Sequence, residues 1–218
     1  MSDQLSLHIG NKAYSSWSLR PWLAMKMANI PFAEIMNPLF TDGHARRMEK
    51  LFPSRKVPTL CHGGVTIWES LAICEYLAEL YPDVGLWPTD PKARAVARSI
   101  ASEMPAGFMG LRSEFPMNIR RKIAGVKPSE VALGDIKRLG DIWSYALDNY
   151  GGDGPFLFGA FSIADAIYAP VVTRLDTYGL KMSPQIETYM QAVLTLEPMK
   201  AWYKDALQEA WIIERVEL

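Results

Sequence analysis

Residues 56–70 read KVPTLCHGGVTIWES, and this stretch decides the fold. Two runs of strand-forming residues, 59–61 and 65–67, flank the turn segment His62-Gly63-Gly64, which is the pattern of a β-hairpin. From Glu69 onward, apolar residues at helical spacing predict a helix that stops before Pro82. The stripe consists of Ile73, Cys74, Leu77 and Tyr81. A hairpin followed directly by a helix indicates a mixed α/β region.

Two further strands and a helix are predicted upstream of the hairpin. Apolar and polar residues alternate over 5–9, and residues 33–36 can form a second short strand. Between them lies a helical stripe, Leu19, Trp22, Leu23 and Met27, with Pro21 expected in the first turn. One of Ser15, Ser16 and Ser18 is expected to cap this helix. Residues 37–53 are polar and rich in turn-forming residues, so no regular element is predicted there.

Downstream of the hairpin, a proline-rich segment separates the mixed region from a wholly helical one. Residues 81–92 contain Pro82, Gly85, Pro88 and Pro91 and favour a linker. Helical patterns follow over 91–115, 129–149, 162–177, 184–195 and 198–209, with a bend expected at Pro105 and Gly107. We therefore predict an α+β protein with a mixed sheet-and-helix domain over 1–81, a linker over 82–90 and an all-helical domain over 91–218.

Composition and charge favour a small-molecule partner. The net charge is −1 and the basic residues are scattered, so no footprint for nucleic acid exists. The N-terminal residues lack the features of a signal peptide, and no apolar run predicts a membrane span, so we expect a cytoplasmic protein. The three histidines and two cysteines lack metal-ligand spacing, and no metal is expected; Cys61 and Cys74 are interpreted as core thiols.

Three short polar segments of the first domain, each ordinary alone, gain meaning from their order and spacing. They are Tyr14-Ser15-Ser16-Trp17-Ser18, Lys56-Val57-Pro58-Thr59 and Glu69-Ser70. Together they resemble the glutathione-binding domain of the glutathione transferase family, which has a thioredoxin-like fold, and the resemblance extends over the whole chain. It implies that the chain binds glutathione as a co-substrate.

The resemblance assigns a role to each binding residue. Val57 precedes a proline that is cis in the family, and its backbone N–H and C=O would pair with the cysteinyl part of glutathione. Glu69 would take the ligand's ammonium group, and Ser70 its γ-glutamyl carboxylate, at the start of a helix. Lys56 would reach a ligand carbonyl or carboxylate.

The segment Ser15-Ser16-Trp17-Ser18-Leu19-Arg20 is similar to the Ser-Ser-Cys-x-x-Arg pattern of the zeta class. This similarity implies that Ser15 is the catalytic hydroxyl, which would stabilise the glutathione thiolate. Trp17 stands where zeta enzymes that isomerise maleylacetoacetate have a cysteine. Tyr14 and Ser16 remain alternatives to Ser15 as the thiolate donor.

A motif in the helical half supports the same resemblance. Phe161-Ser162-Ile163-Ala164-Asp165 resembles the family's helix-capping motif, with Ser162 at the N-cap and Asp165 three residues later. Asp165 is therefore interpreted as a residue needed for folding and not as a catalytic acid.

These features predict a glutathione S-transferase that directs the glutathione thiolate at a small electrophilic substrate, and the resemblance implies a homodimer. A glutathione-dependent isomerase or dehalogenase, and a non-catalytic member that binds glutathione or apolar ligands, remain alternatives. The helical domain is expected to form the electrophile site. Met104, Phe108 and Leu111 are candidates for its lining, with core packing as the alternative role.

Overall fold

The computed structural model describes residues 4–123 and 125–217 of the chain. Residues 1–3, 124 and 218, which include the outer limits of both predicted domains, lie outside the described residues. The N-terminal half contains a four-stranded sheet with the order β2-β1-β3-β4. Its strands are β1 (Ser6–Ile9), β2 (Ala33–Met36), β3 (Thr59–His62) and β4 (Val65–Trp68).

The strand directions confirm the predicted mixed sheet. β1 and β2 are parallel, with Leu7 opposite Glu34, whereas β3 is antiparallel to both of its neighbours. The parallel pair requires a crossover, which the helix α1 (Ser16–Met27) provides. The antiparallel pair is the hairpin predicted around His62-Gly63-Gly64.

Two helix predictions in this half need correction. Pro21 is the sixth residue of α1 and not part of its first turn, because the helix begins at Ser16. The predicted turn-rich segment contains a short helix, α2 (His44–Glu49), whose one buried residue is Met48. The helix α3 (Ser70–Leu80) begins and ends where the apolar stripe predicts.

The C-terminal half is helical, as predicted. Its helices are α4 (Pro91–Ala106), α5 (Met109–Glu114), α6 (Glu130–Tyr150), α7 (Ile163–Thr177), α8 (Pro184–Leu194) and α9 (Glu197–Gln208). The bend expected near Gly107 is a break between α4 and α5, where Phe108 takes a left-handed conformation. The first of the two cysteines, Cys61, is only partly buried, whereas Cys74 is buried as expected.

The two halves share one hydrophobic core, in which α1 packs on α7. Nearly every residue of α7 is buried, so this helix forms the centre of the molecule. A cluster of ion pairs also connects the two halves at the edge of their interface. The Lys12 ammonium lies 2.7 Å from Glu34 on β2 and 2.7 Å from Asp205 on α9, beside the rings of Trp22 and Trp202.

Candidate functional site

Ser15 caps the first helix. Its Oγ accepts a hydrogen bond from the Ser18 backbone N–H at 3.3 Å and lies 2.7 Å from Ser18 Oγ. Ser18 Oγ in turn accepts the Gly10 backbone N–H at 3.0 Å. When Ser18 donates its proton to Ser15, the Ser15 proton is left for a ligand above the helix start.

Ser16, the first residue of α1, is held from the helical half. Its Oγ accepts a hydrogen bond from the Arg174 guanidinium at 3.4 Å. Arg174 is buried, and its remaining hydrogen bonds go to the carbonyls of Phe115 and Pro170. Burial, followed by the neighbouring Arg112, lowers the pKa of Arg174 to about 10.

Tyr14, the other alternative, is directed toward the C-terminal segment. Its hydroxyl donates a hydrogen bond to the Glu217 carboxylate. Burial and the contact with Glu217 raise the pKa of Tyr14. The Tyr14 proton is therefore already engaged with a carboxylate, which disfavours Tyr14 as a thiolate donor.

The loop before β3 is stiffened from within. Thr59 Oγ1 donates to the Lys56 carbonyl at 2.7 Å and lies 2.6 Å from Ser54 Oγ. The Val57–Pro58 peptide bond is cis, as the resemblance implies. Among residues 4–123 and 125–217, neither the N–H nor the C=O of Val57 has a hydrogen-bond partner. A ligand with an extended backbone can therefore pair with Val57.

Glu69 precedes the first turn of α3 in an unusual backbone conformation, with φ 65° and ψ 126°. Its side chain is 59% exposed and lies 3.9 Å from the Lys56 ammonium. Ser70 is buried, and its hydroxyl donates to the Trp17 carbonyl at 2.9 Å. The Ser70 hydroxyl proton is thus engaged, and the donors left for an anion here are the backbone N–H groups of the helix start.

Two adjacent cavities bring these residues together. The serine cavity, of about 390 Å³, is lined by Tyr14, Ser15, Ser16, Trp17, Leu39, Phe40, His44, Met48, Arg55, Lys56, Val57, Ile213, Arg215 and Val216. The glutamate cavity, of about 310 Å³, is lined by Trp17, Lys56, Val57, Pro58, Trp68, Glu69 and Ser70. Both have Trp17, Lys56 and Val57 in their walls, so the five predicted site residues border two neighbouring cavities, which together we call the groove.

Trp17, which lines both cavities, also contacts two arginines that the sequence did not predict at the site. The Arg20 guanidinium lies 4.3 Å from the centre of the Trp17 ring, and that of Arg112 lies 5.3 Å from it. Arg20 also donates to the Ile167 carbonyl, and burial is the first cause that lowers its pKa to about 9. The indole therefore packs against two cations where the zeta pattern has a thiol.

The sequence also did not predict the wall of the serine cavity that the C-terminal segment provides. Ile213, Arg215 and Val216 follow α9, and the Arg215 guanidinium lies 4.1 Å from the Phe40 ring centre. These residues carry no periodic pattern. By contrast, Met104, Phe108 and Leu111 are buried in the core and do not line the serine cavity, so core packing is their role.

This arrangement can hold a zwitterion and an anion near one another. The glutamate cavity offers a carboxylate, an ammonium group and a helix start, and the serine cavity offers hydroxyl donors at the start of α1. In the part of the chain that the structure describes, no group of three His, Cys, Asp or Glu side chains is placed to hold a metal ion. No described helix is long and apolar enough to span a bilayer.

Comparison with protein families identifies the family of both halves of the chain. Residues 14–80 match the glutathione S-transferase N-terminal domain, and residues 130–205 match the glutathione S-transferase C-terminal domain. The chain belongs to the glutathione S-transferase family. All five predicted site residues lie within the N-terminal match.

Individual relatives agree with this family. The chain is 29% identical over 188 residues to rat maleylacetoacetate isomerase, a match covering 84% of each protein. It is 38% identical over 98 residues to a probable maleylacetoacetate isomerase of Caenorhabditis elegans, where the match spans 45% of each chain. A glutathione transferase homologue from Burkholderia, solved with bound glutathione, superposes with a TM-score of 0.71 at 24% identity, covering 93% of this chain and 97% of that one. This last likeness concerns the fold.

Proposed function

We propose that this glutathione S-transferase binds glutathione along the groove and uses its thiolate against a small electrophilic substrate. The observation that carries the proposal is that the two cavities are neighbours with shared walls, with Glu69 and Ser70 in one and Ser15 in the other. Glutathione has the matching layout, because a zwitterionic γ-glutamyl group lies on one side of its cysteinyl thiol.

The γ-glutamyl group would occupy the glutamate cavity. The exposed Glu69 carboxylate would accept hydrogen bonds from the ligand's ammonium, and the backbone N–H groups at the start of α3 would donate to its carboxylate. Ser70 would act through its backbone first, because its hydroxyl proton goes to Trp17. Val57 would pair with the cysteinyl backbone, and Lys56 would reach a carbonyl or carboxylate of the ligand.

Ser15 would then favour ionisation of the thiol. A free thiol has a pKa of about 8.5, so only a few per cent is thiolate near neutral pH. A hydroxyl donating to sulfur interacts more strongly with the anion, and the positive end of α1 acts in the same direction. The contact between the Ser15 and Ser18 hydroxyls favours Ser15 in this role. When Ser18 donates to the Ser15 oxygen, the Ser15 proton is free to be donated to sulfur.

The thiol pKa of bound glutathione tests this assignment. A hydrogen bond to a charged group contributes about 1.5 to 3 kcal/mol, and one pKa unit corresponds to about 1.36 kcal/mol. Ser15→Ala should therefore raise the thiol pKa by roughly one to two units, read from thiolate absorbance at roughly 240 nm. Ser16→Ala and Tyr14→Phe are the matched controls. A shift in either control with none in Ser15→Ala would move the catalytic assignment to that residue.

A second candidate function is glutathione-dependent isomerisation of an unsaturated carboxylic acid, as in maleylacetoacetate isomerase. The lining of the serine cavity favours it, since the described residues there include Arg55, Lys56 and Arg215 and no Asp or Glu. Such a cavity attracts an anionic second substrate. The names of the rat and nematode relatives support the same chemistry.

A substrate screen separates the two functions. Purified protein with glutathione would be assayed against an aryl halide, an organic peroxide and a cis-dienoic acid. Conjugation of the aryl halide would support the transferase, whereas isomerisation of the acid without net consumption of glutathione would support the isomerase. Binding of glutathione with no turnover of any of the three would favour the non-catalytic alternative.

We also propose that the protein is a cytoplasmic homodimer. Exposed apolar side chains on the described N-terminal half support a partner, notably Phe52 at 69% exposure and Val65 at 54%. Sedimentation at micromolar concentration should give twice the chain mass, and a mass near 24.5 kDa would contradict the dimer.

A further inference from the structure

The loop that carries the candidate serine is held by the helical half of the molecule. We call residues 10–15 the serine loop. The Lys12 carbonyl accepts a hydrogen bond from the Trp202 indole N–H at 2.8 Å, and the Ala13 carbonyl accepts the Ile119 backbone N–H at 3.2 Å. The carbonyls of Lys12 and Ala13, at the centre of this loop, are therefore satisfied by residues far along the chain.

One carboxylate holds the two amides at the centre of the loop. Glu209 accepts the Lys12 backbone N–H at 2.6 Å with one oxygen and the Ala13 backbone N–H at 3.2 Å with the other. Its side chain is only 6% exposed. Glu209 follows the last residue of α9, and Arg120 fixes this helix end by donating to the carbonyls of Ala206 and Glu209.

The position of these amides is passed directly to Ser15. The Ser15 backbone N–H donates to the Asn11 carbonyl at 2.8 Å, which closes the turn that contains Lys12 and Ala13. Asn11 is itself fixed by the Leu39 N–H, which donates to Asn11 Oδ1 at 2.8 Å. A shift of the loop at Lys12 therefore moves the cap of α1. A misplacement of about 1 Å near reacting groups can cost about 10²-fold in rate.

We propose that Glu209 is a positioning residue for the thiolate chemistry: its carboxylate sets the serine loop, and thereby the Ser15 hydroxyl, from the opposite half of the chain. This inference rests on the proposed function of Ser15. The neighbouring carboxylate of Asp205 has a different role, because it contacts the Lys12 ammonium at 2.7 Å and not the loop backbone.

The contrast between these two carboxylates supplies the experiment. Glu209→Gln and Asp205→Asn each replace a carboxylate that contacts Lys12 by an amide. Glu209→Gln removes an acceptor from one loop N–H, so the thiol pKa of bound glutathione should rise by about one unit and the rate at pH 6.5 should fall about tenfold. Much of that rate should return at high pH, where the thiol ionises unaided. Affinity for S-methylglutathione should change by less than about twofold, because the γ-glutamyl end is untouched.

Asp205→Asn should lower the melting temperature while leaving the thiol pKa and the rate unchanged. An equal rate loss in both variants, or a loss in Glu209→Gln that persists at high pH, would show a purely structural role and overturn the inference. If Glu209→Gln does not fold, Glu209→Asp replaces it in the experiment, because the shorter side chain cannot reach both amides. Failure of both variants to fold would also overturn the inference. A wild-type protein that leaves the thiol pKa at its solution value would overturn the proposed function itself, and this inference with it.

Discussion

Two helix starts in this molecule combine an acid with a serine, and they use the pair in opposite ways. At α3, the Glu69 carboxylate is exposed, makes no capping hydrogen bond within the described residues, and is attached to a backbone with positive φ. At α7, the Asp165 carboxylate is fully buried and accepts from the Ser162 N–H at 2.8 Å, the Ser162 hydroxyl at 3.0 Å and the Leu157 N–H at 3.1 Å.

The difference teaches how to separate a binding acid from a folding acid. The oxygens of Asp165 are occupied by neighbours in the chain, so no capacity is left for a ligand. The oxygens of Glu69 are open to solvent, and its backbone occupies a region that costs about 1–3 kcal/mol for a residue with a Cβ. Occupied acceptors without strain fit the folding role of Asp165, whereas open acceptors with strain fit the binding role proposed for Glu69.

The largest expected effect is on stability and comes from Asp165→Ala. The substitution leaves the buried N–H groups of Leu157 and Ser162 without an acceptor, which should cost about 3 kcal/mol of unfolding free energy. Chemical denaturation measures this cost. Glutathione affinity of the folded variant should equal that of wild type, and a weaker affinity would break the distinction between the two acids.

The converse variant, Glu69→Ala, should lose glutathione affinity by about 2 kcal/mol, in the range for a charge-assisted hydrogen bond. Calorimetry at neutral pH measures the change. Its unfolding free energy should stay within about 0.5 kcal/mol of wild type, because the side chain is exposed and caps nothing. Unchanged binding would refute the assignment of Glu69.

Stability should also depend on pH through Asp165. Burial raises its pKa to about 6 from the usual 3.8, because the hydrogen bonds from Leu157 and Ser162 offset only part of the desolvation. Between these values the folded state holds a proton that the unfolded state has lost, so this contribution is complete below about pH 4 and disappears as the pH rises through 6. We expect a decline on the order of 2 kcal/mol, absent in Asp165→Asn. A decline of equal size in Asp165→Asn would assign it to other groups.

The smallest effect should come from Glu69→Gly, measured against Glu69→Ala. Both variants lack the carboxylate, but only glycine relieves the positive φ. Glycine also adds entropy to the unfolded chain, which offsets part of the relief. The unfolding free energy of Glu69→Gly should therefore exceed that of Glu69→Ala by about 1 kcal/mol, measured by chemical denaturation. Equal stabilities would mean that the backbone at Glu69 is not strained.

The sequence predicted the regular elements well because they follow strong apolar periodicities, as in β1, α3 and α7. It missed α2, because a helix of six residues is stabilised by the packing of Met48 and not by a pattern of its own. It placed Pro21 too early in α1, since three serines could each serve as the cap. Only the structure shows that Ser15, and not Ser16 or Ser18, is the N-cap.

The candidate site was predictable where it consists of short local motifs. Val57, Glu69 and Ser70 lie beside a proline or at a helix start, and those local signals are visible in the sequence. Arg215 and Glu209 are not predictable in this way, because each reaches the site through contacts with residues about 170 to 200 positions away.

Pro21 affects the spacing between the two helix starts that border the groove. A residue with an amide hydrogen at this position would bond to the Trp17 carbonyl within α1, but proline leaves that carbonyl free and the Ser70 hydroxyl takes it. A hydrogen bond between two helices thus replaces one that is missing within α1. It fixes the distance between the start of α1 and the start of α3. In the proposed binding mode this span fixes the distance between the amino acid end and the sulfur of the ligand, so thiols with a longer or shorter link between the two should bind more weakly than glutathione.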